Sequence, residues 1–428
     1  MLLGDPHRRI LRKMKRLSSE IMKICILTTT RADYGLLRSL MDVVTKDQGA
    51  QLQIIATGQH FDEKHGNSEA EIIGDGFTID VEIPLNLYGE EGQRYSSALS
   101  HLTAEIDIAF ERLCPDIVVV LGDRFELIPI AQAAVLRRIP IAHIHGGEIT
   151  EGAFDDSFRH AVSKMASLHF ASLPEYGARL QQMGEPPETV FVVGGLGADA
   201  AHRRAQMSKD ELETSLNVRF GERLFIVTYH PETLSDLDVE EQIDNLLTGI
   251  ADEKDTTLLF TGPNMDPGGD IIREKILAFC KGRSDCHFVY SLGQDRYFST
   301  LAIADAMVGN SSSGLLEASS FGLPVLNIGD RQRGRVAPDN VYHCENSVEA
   351  IRDGIRIIRE VQDTPNHSTF YNFDKVPERI LDIILSKFHM ATRDGGRIQK
   401  AKFCDWSIEK QGMIAPSTGC QLRGGEDG

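Results

Sequence analysis

A run of serines, a set of arginines and a scatter of carboxylates are the residues of this chain whose types and spacing could do chemistry. The segment from Gly309 to Arg335, GNSSSGLLEASSFGLPVLNIGDRQRGR, holds the first two groups. It reads as a turn of Ser311, Ser312, Ser313 and Gly314 opening a short helix, then a buried strand, then Arg331, Arg333 and Arg335. N–H groups at a helix start are unpaired donors with a partial positive charge, so such a turn suits a phosphate. Glu317 falls one helical turn after Ser313, where a carboxylate could accept both hydroxyls of a ribose. Together they suggest a nucleoside diphosphate. The competing interpretation is an ordinary serine cap beside a solvated glutamate.

Acidic groups come from two other segments. LGDRFELIP, 121–129, puts Asp123 at the carboxyl end of a strand with Arg124 beside it, at a cleft edge or as the cap of the next helix. HIHGGEITEGAFDDSFRH, 143–160, gathers three histidines, a glycine pair, Glu148, Asp155 and Asp156 into one strand-to-helix connection. Carboxylates held at different depths in such a loop acquire separated pKa values, as acid and base catalysis requires. His143, His145 and Glu148 are also possible metal ligands, but no second cluster completes a coordination shell, and no metal is expected. His230 in VTYHPET ends a strand just before a proline, placed to touch a phosphate or move a proton. Arg31 in TTTRADYGLL has the corresponding place after the first strand, where a guanidinium fork suits phosphate or carboxylate. Asn264, closing TTLLFTGPN, joins the candidate nucleotide contacts.

The elements that must position these groups announce themselves as short apolar runs with room for a helix between them. They are KICILTT at 23–29, QLQIIAT at 51–57, DIVVVLGD at 116–123, IPIAHIHGG at 139–147 and VFVVGG at 190–195. A second series runs from RLFIVTYHP at 223–231 through TTLLFTGPN, CHFVYS, AMVGNSS and PVLNIGD. Continuous hydrophobic strands separated by helices imply parallel sheets covered on both faces, so the fold class is α/β with two doubly wound, Rossmann-like domains and a cleft between them. The expected division is an extension over 1–21, an N-terminal α/β domain over 22–200 and a C-terminal nucleotide-binding domain over 201–376. A polar join near 195–208, a final helix over 377–389 and a disordered tail over 390–428 complete it.

Bulk properties narrow the class. At 428 residues, 41% hydrophobic and 25% charged, the chain has the composition of a soluble two-domain protein. Its net charge of −18 argues against general binding to nucleic acid or anionic membrane. Seven cysteines at 25, 114, 280, 286, 344, 404 and 420 include no C-x-x-C pair, so reduced thiols in a cytoplasm are expected. TTTRADYG stands where a dinucleotide fingerprint would place G-x-G-x-x-G, which disfavours a hydride shuttle.

Taken in order, TTTRADYGLL, LGDRFE, HIHGGE with DDSFRH, VTYHPET, GNSSSGLLE and NIGDRQRGR resemble the hydrolysing UDP-N-acetylglucosamine 2-epimerases, most closely the bacterial sialic-acid-pathway branch. The resemblance covers about Lys23 to Leu385 and implies a glycosyltransferase-B-like fold in an enzyme that needs neither metal nor NAD. It implies removal of UDP across carbons 1 and 2 of the sugar to leave a 2-acetamidoglucal, then addition of water to give free N-acetylmannosamine. By motif it makes Asp123, Glu148 and Asp155 the acid/base carboxylates, His230, Arg31, Ser311, Ser312, Ser313 and Arg335 diphosphate contacts, and Glu317 the ribose acceptor. Several relatives carry Glu at the position of His145, so either His145 or Glu148 is the base. Related enzymes act on UDP- or GDP-linked N,N'-diacetylbacillosamine, and others of this fold are non-hydrolysing epimerases or glycosyltransferases. A homodimer or homotetramer follows by likeness.

Overall fold

The computed structural model describes residues 21–61, 68–86, 93–203, 206–264, 266–361, 371, 373–394 and 396–404. The expected extension before residue 21 lies outside them, as does the chain after Cys404. Two all-parallel sheets form the frame. The first contains β1 (Met22–Thr28), β2 (Ala50–Gly58), β3 (Val81–Pro84), β4 (Ile117–Leu121), β5 (Ile141–Ile144), β6 (Leu168–Ala171) and β7 (Val190–Val192), in the order β3-β2-β1-β4-β5-β6-β7. The second contains β8 (Arg223–Thr228), β9 (Thr256–Thr261), β10 (Cys286–Val289), β11 (Ala306–Gly309), β12 (Val325–Ile328) and β13 (Val341–Cys344), in the order β10-β9-β8-β11-β12-β13.

The apolar runs explain this architecture. All five residues of β4 are buried, and side chains of its two faces enter two separate cores of the first sheet. A strand covered on both sides has no polar alternation to keep, which is why it reads as IVVVL. In each sheet the strand order reverses once, between β1 and β4 and between β8 and β11. A doubly wound sheet opens a crevice at that point, beyond the carboxyl ends of its strands. The two domains face each other in the glycosyltransferase-B arrangement.

Several expectations are corrected. β3, β6 and β13 were not apparent as apolar runs, because each is only four residues long and interrupted by Glu82, His169 or His343. The stretch expected as a polar join is a helix, Leu196–Arg203, buried from Leu196 to Ala201. The final helix runs Val376–Arg393, and its Val376, Ile380, Leu381, Ile384 and Phe388 enter a core of the first sheet. The part of the tail that is described is docked rather than disordered. Phe403 lies against Gly184, the Cys404 amide donates to the Gly184 carbonyl at 2.9 Å, and Lys400 pairs with the buried Glu185. Contrary to the expectation of reduced thiols throughout, Cys280 and Cys286 are joined as a disulfide, their Cα atoms 5.0 Å apart. The turn between the helix Gly269–Cys280 and β10 brings them together.

The second switch point depends on one glycine. Gly309 ends β11 with φ +135°, and a Cβ there would lie 1.9 Å from the Thr228 carbonyl oxygen on β8. Gly309→Ala is therefore expected to lower the unfolding free energy by about 3 kcal/mol, from backbone strain and the clash together. Urea unfolding of the two proteins measures it.

Candidate active site

Each predicted residue leaves the carboxyl end of a strand, and most leave a switch point. Arg31 follows β1 and Asp123 follows β4; His230 follows β8 and the serine turn follows β11. His145 and Glu148 follow β5, Asn264 follows β9, and Arg335 lies beyond β12.

One pocket gathers the nucleotide candidates. Arg31, His230, Ser311, Ser312, Ser313 and Glu317 line it together, with Gly262, Ser291 and Phe298. Arg31 is held by Asp33, which accepts from the amides and hydroxyls of Thr29 and Thr30 and so fixes the turn that carries it. The Arg31 guanidinium lies over the Tyr290 ring, 4.6 Å from its centroid, and its Nη1 is buried with no hydrogen-bond partner among the described residues. A buried cation with an idle donor is suited to an anion. His230 is braced by Asn310, whose side chain accepts from the His230 amide at 2.8 Å and donates to its carbonyl at 2.9 Å. The Asn264 amide donates to His230 Nδ1 at 3.1 Å. Burial, then the charges of Arg331, Arg31 and Arg124, hold this histidine well below its usual pKa. It is thus neutral, with its proton on Nε2, a donor to phosphate oxygen.

Ser313 Oγ accepts from Tyr297 at 2.6 Å, and the turn continues as the four-residue helix Ser313–Leu316. Glu317 is buried, and burial raises its carboxyl against the opposing pull of the Ser313 hydroxyl and of His145 and Arg335. Gly197 makes room for it: a Cβ there would stand 2.1 Å from Glu317 Oε1. Gly314 and Asn264 do not line the pocket. Gly314 lets the turn sit on Val325 of β12, where a Cβ would meet Val325 Cγ1 at 2.8 Å, and Asn264 acts through its backbone on His230.

The acidic group meets the basic one directly. Arg335 Nη2 lies 2.9 Å from Glu148 Oε2, while Glu148 Oε1 contacts His145 Nδ1 at 2.8 Å and accepts from Ser172 at 2.8 Å. Burial alone would raise the Glu148 carboxyl, but Arg335, His145 and Ser172 hold it down at about 2. His145 Nε2 is buried without a hydrogen-bond partner among the described residues. Asp155, at the start of the helix Asp155–Met165, goes the opposite way: burial and the charge of Asp266 raise it to about 6, against Arg124 and Arg331. Two carboxylates of one loop thus differ widely, one a fixed anion and the other able to carry a proton near neutrality.

Asp123 does not cap the next helix, whose cap position is Glu126. It pairs instead with Arg159, which is fully buried. His143 is structural, its two ring nitrogens engaged by the Gly122 carbonyl at 2.8 Å and Ser163 Oγ at 3.0 Å. Arg333 turns to solvent and pairs with Glu151, so of the three clustered arginines only Arg331 and Arg335 point inward. Sequence reasoning did not single out Arg159, Asn310, Tyr297 or Asp266. Arg159 lies one turn after Asp155 within DDSFRH, the one sequence cue that could have found it.

Residues 42–385 match the family described as UDP-N-acetylglucosamine 2-epimerase. The chain is 39% identical over 76% of its length, and 84% of the relative's, to a GDP/UDP-N,N'-diacetylbacillosamine 2-epimerase (hydrolyzing) of Campylobacter jejuni. It is 37% identical to the polysialic acid biosynthesis protein P7 of Escherichia coli, over 79% of this chain and 86% of that one. To a UDP-N,N'-diacetylbacillosamine 2-epimerase (hydrolyzing) of Legionella pneumophila it is 34% identical, over 85% and 96%. Among solved structures, the Neisseria meningitidis UDP-GlcNAc 2-epimerase bound to UDP-GlcNAc has a TM-score of 0.70 at 17% identity, over 85% of this chain and all of that one. That likeness concerns the fold.

The raised Asp155 carboxyl has a consequence for stability. A carboxyl whose folded pKa lies above its unfolded value stabilises the fold below the unfolded value, near 4, and that contribution is lost as pH rises through about 6. Asp155→Asn is expected to match the parent below pH 4, to exceed it increasingly between about pH 4 and 6, and to keep a constant margin above about pH 7. Denaturant unfolding at stepped pH tests this; an equal or lower stability at pH 8 refutes it.

Proposed function

We propose, because the chain belongs to the UDP-N-acetylglucosamine 2-epimerase family, that it is a hydrolysing 2-epimerase of a UDP-linked 2-acetamido sugar. The observation that carries this is the contact of Arg335 with Glu148 and of Glu148 with His145, beside a pocket lined by Arg31, His230, Ser311–Ser313 and Glu317. It supports a leaving-group grip and a proton-transfer group working at one seam.

The chemistry follows from these surroundings. The proton on carbon 2 is weakly acidic, so its removal needs a desolvated base and strong stabilisation of the departing diphosphate. Arg31, neutral His230 and the serine turn grip the diphosphate, and Glu317 accepts the ribose hydroxyls. Glu148, an anion locked to Arg335, is a poor base but a good partner for His145 Nδ1–H. That hydrogen bond leaves the His145 Nε2 lone pair free to accept the proton, while the carbon 1–oxygen bond breaks and UDP departs. The 2-acetamidoglucal that remains takes a hydroxyl on carbon 1 and a proton on carbon 2 from the opposite face. Protonated Asp155, with Asp123 held by Arg159, provides the acid. Net, one water is consumed, and UDP and the free 2-epimer are released.

Two sugars have support. Relatives 39% and 34% identical are named for diacetylbacillosamine nucleotides, and one 37% identical is named for polysialic acid biosynthesis. The first yields a diacetamido trideoxy sugar and the second N-acetylmannosamine, each feeding nonulosonic-acid synthesis, in a cytoplasmic homodimer or homotetramer.

Incubation with UDP-N-acetylglucosamine and UDP-N,N'-diacetylbacillosamine in parallel, followed by proton NMR of the anomeric signals, is expected to show UDP and a free 2-epimer from one of them. A UDP-bound epimer, or a sugar transferred to another molecule, refutes hydrolysis. His145→Gln and Glu148→Gln should each lower kcat by at least about 100-fold while UDP affinity stays within a few-fold. Collapse of UDP affinity in both would make the pair structural.

A further inference from the structure

Two tyrosines outside both groups of residues described so far stand beside the Arg335–Glu148 contact. Tyr176, on the helix Pro174–Gln182, and Tyr371 are 0% and 1% exposed. The Val336 amide donates to Tyr176 Oη at 3.0 Å, and Tyr371 Oη donates to the Val336 carbonyl at 2.7 Å. The two hydroxyl oxygens lie 3.2 Å apart. Because the single hydroxyl proton of Tyr371 goes to a carbonyl, which can only accept, the proton between the tyrosines comes from Tyr176. Three hydrogen bonds thus close a ring through both backbone polar groups of the residue next to Arg335.

We propose that Tyr176 is a positioning residue for the reaction: through this ring it sets the backbone from which Arg335 reaches Glu148. This deepens the proposed function and rests on it. The same stretch of the first domain supports both ends of the ion pair. Ser172, just before the helix, donates to Glu148 Oε1 at 2.8 Å. The Tyr176 carbonyl packs against Gly147 so closely that a Cβ there would be 2.3 Å from its oxygen, and Arg179 of the same helix donates to the Gly147 carbonyl. Arg335 and Val336 come instead from the loop after β12, in the second domain. Tyr371 is anchored in turn, its carbonyl accepting from the Gly195 amide at 2.8 Å.

Arg335 needs such help. Its residue lies outside any strand, and its Nε and Nη1 are buried with no hydrogen-bond partner among the described residues, so contact with Glu148 alone does not fix the guanidinium. Holding the next peptide group from both sides removes the backbone freedom that a long side chain would otherwise amplify. A misplacement of about 1 Å at a group that orients the reacting atoms can cost about 100-fold in rate. Phenylalanine in place of either tyrosine keeps the aromatic packing with Leu180 and Leu316 and removes one oxygen, so it opens the ring without emptying the core. Tyrosines that served stability alone would make the variant easier to unfold but leave the rate of the folded enzyme as it was.

Tyr176→Phe, Tyr371→Phe and the double variant, assayed with the sugar nucleotide that the parent turns over, are each expected to show kcat lowered about tenfold or more, with KM within a few-fold. The double variant should lose no more than the worse single one, because a ring opened once is open. The rate at which phenylglyoxal modifies Arg335 in the ligand-free protein, located by peptide mass, reads the guanidinium without turnover and should rise severalfold in all three. If Tyr176→Phe does not fold, Tyr371→Phe is read in the same way. An unchanged kcat in a folded variant, an unchanged Arg335 reactivity, a rise of KM alone, or losses that multiply in the double variant overturn the proposal. A parent that turns over neither sugar nucleotide sinks the proposed reaction, and Arg335 reactivity then decides the positioning role by itself.

Discussion

Charges buried at a seam must be matched across it, and the rest of this structure is arranged around that requirement. Glu148 and Arg335 are each nearly inaccessible, come from different domains, and meet at 2.9 Å. Removing either one would leave the other buried and unpaired at a cost of about 3 to 5 kcal/mol, whereas parting the domains would return both to water. Arg124 and Asp266 repeat the device nearby. The connecting loops are shaped to allow it: Gly152 abuts Arg331 so closely that a Cβ would be 2.7 Å from its backbone, the Glu151 amide donates to the Arg333 carbonyl, and the Leu234 amide to the Gly152 carbonyl.

The same rule separates the two halves of the site. On the nucleotide side the cations are deliberately under-matched: Arg31 has an idle buried N–H, and His230 is neutral and ready to donate. Among the acid groups, burial and then the charge of Asp266 drive Asp155 up, while Arg335 drives Glu148 down against its burial. A net charge of −18 does not hinder an anionic ligand under these conditions, because a guanidinium within a low-dielectric cleft outweighs distant, screened surface acids.

Much of this was legible in the residues. Long apolar runs such as IVVVL can only be doubly covered parallel strands, and the carboxyl ends of such strands are where ligands bind, so Arg31, Asp123, His230 and the serine turn were all findable. The short β6 was not, because its run hides His169, which is accommodated there through its pairing with Glu185. Spacing gave no sign of Asn310 or Asp266, which have partners 80 and 142 residues away, and for Arg159, with a partner 36 residues away, only its place one turn after Asp155. The docked segment 396–404 escaped for the same reason: it looks solvated until Glu185 is seen to receive Lys400, and Gly184 to receive Phe403 and the Cys404 amide.

In the proposed reaction, the assignment of His145 rather than Glu148 as proton acceptor draws on local backbone geometry. His145 sits just past β5 with φ +64°, a left-handed conformation that a side chain adopts at a cost of about 1 to 3 kcal/mol. Gly147 follows with φ +79°, packed so tightly that a Cβ would be 2.3 Å from the Tyr176 carbonyl oxygen. The two reversals fold the loop back so that Glu148 lies under the imidazole three residues earlier, rather than beside it along a strand. A glutamate at position 145 would meet Glu148 as a like charge and would raise the pKa of one of them, making a carboxylate base. A histidine there instead receives a hydrogen-bond acceptor on Nδ1 and keeps Nε2 bare. Fixed backbone strain, fixed Arg335 and a change of one side chain would therefore move the basic atom from an oxygen to a nitrogen while leaving the rest of the site as it is.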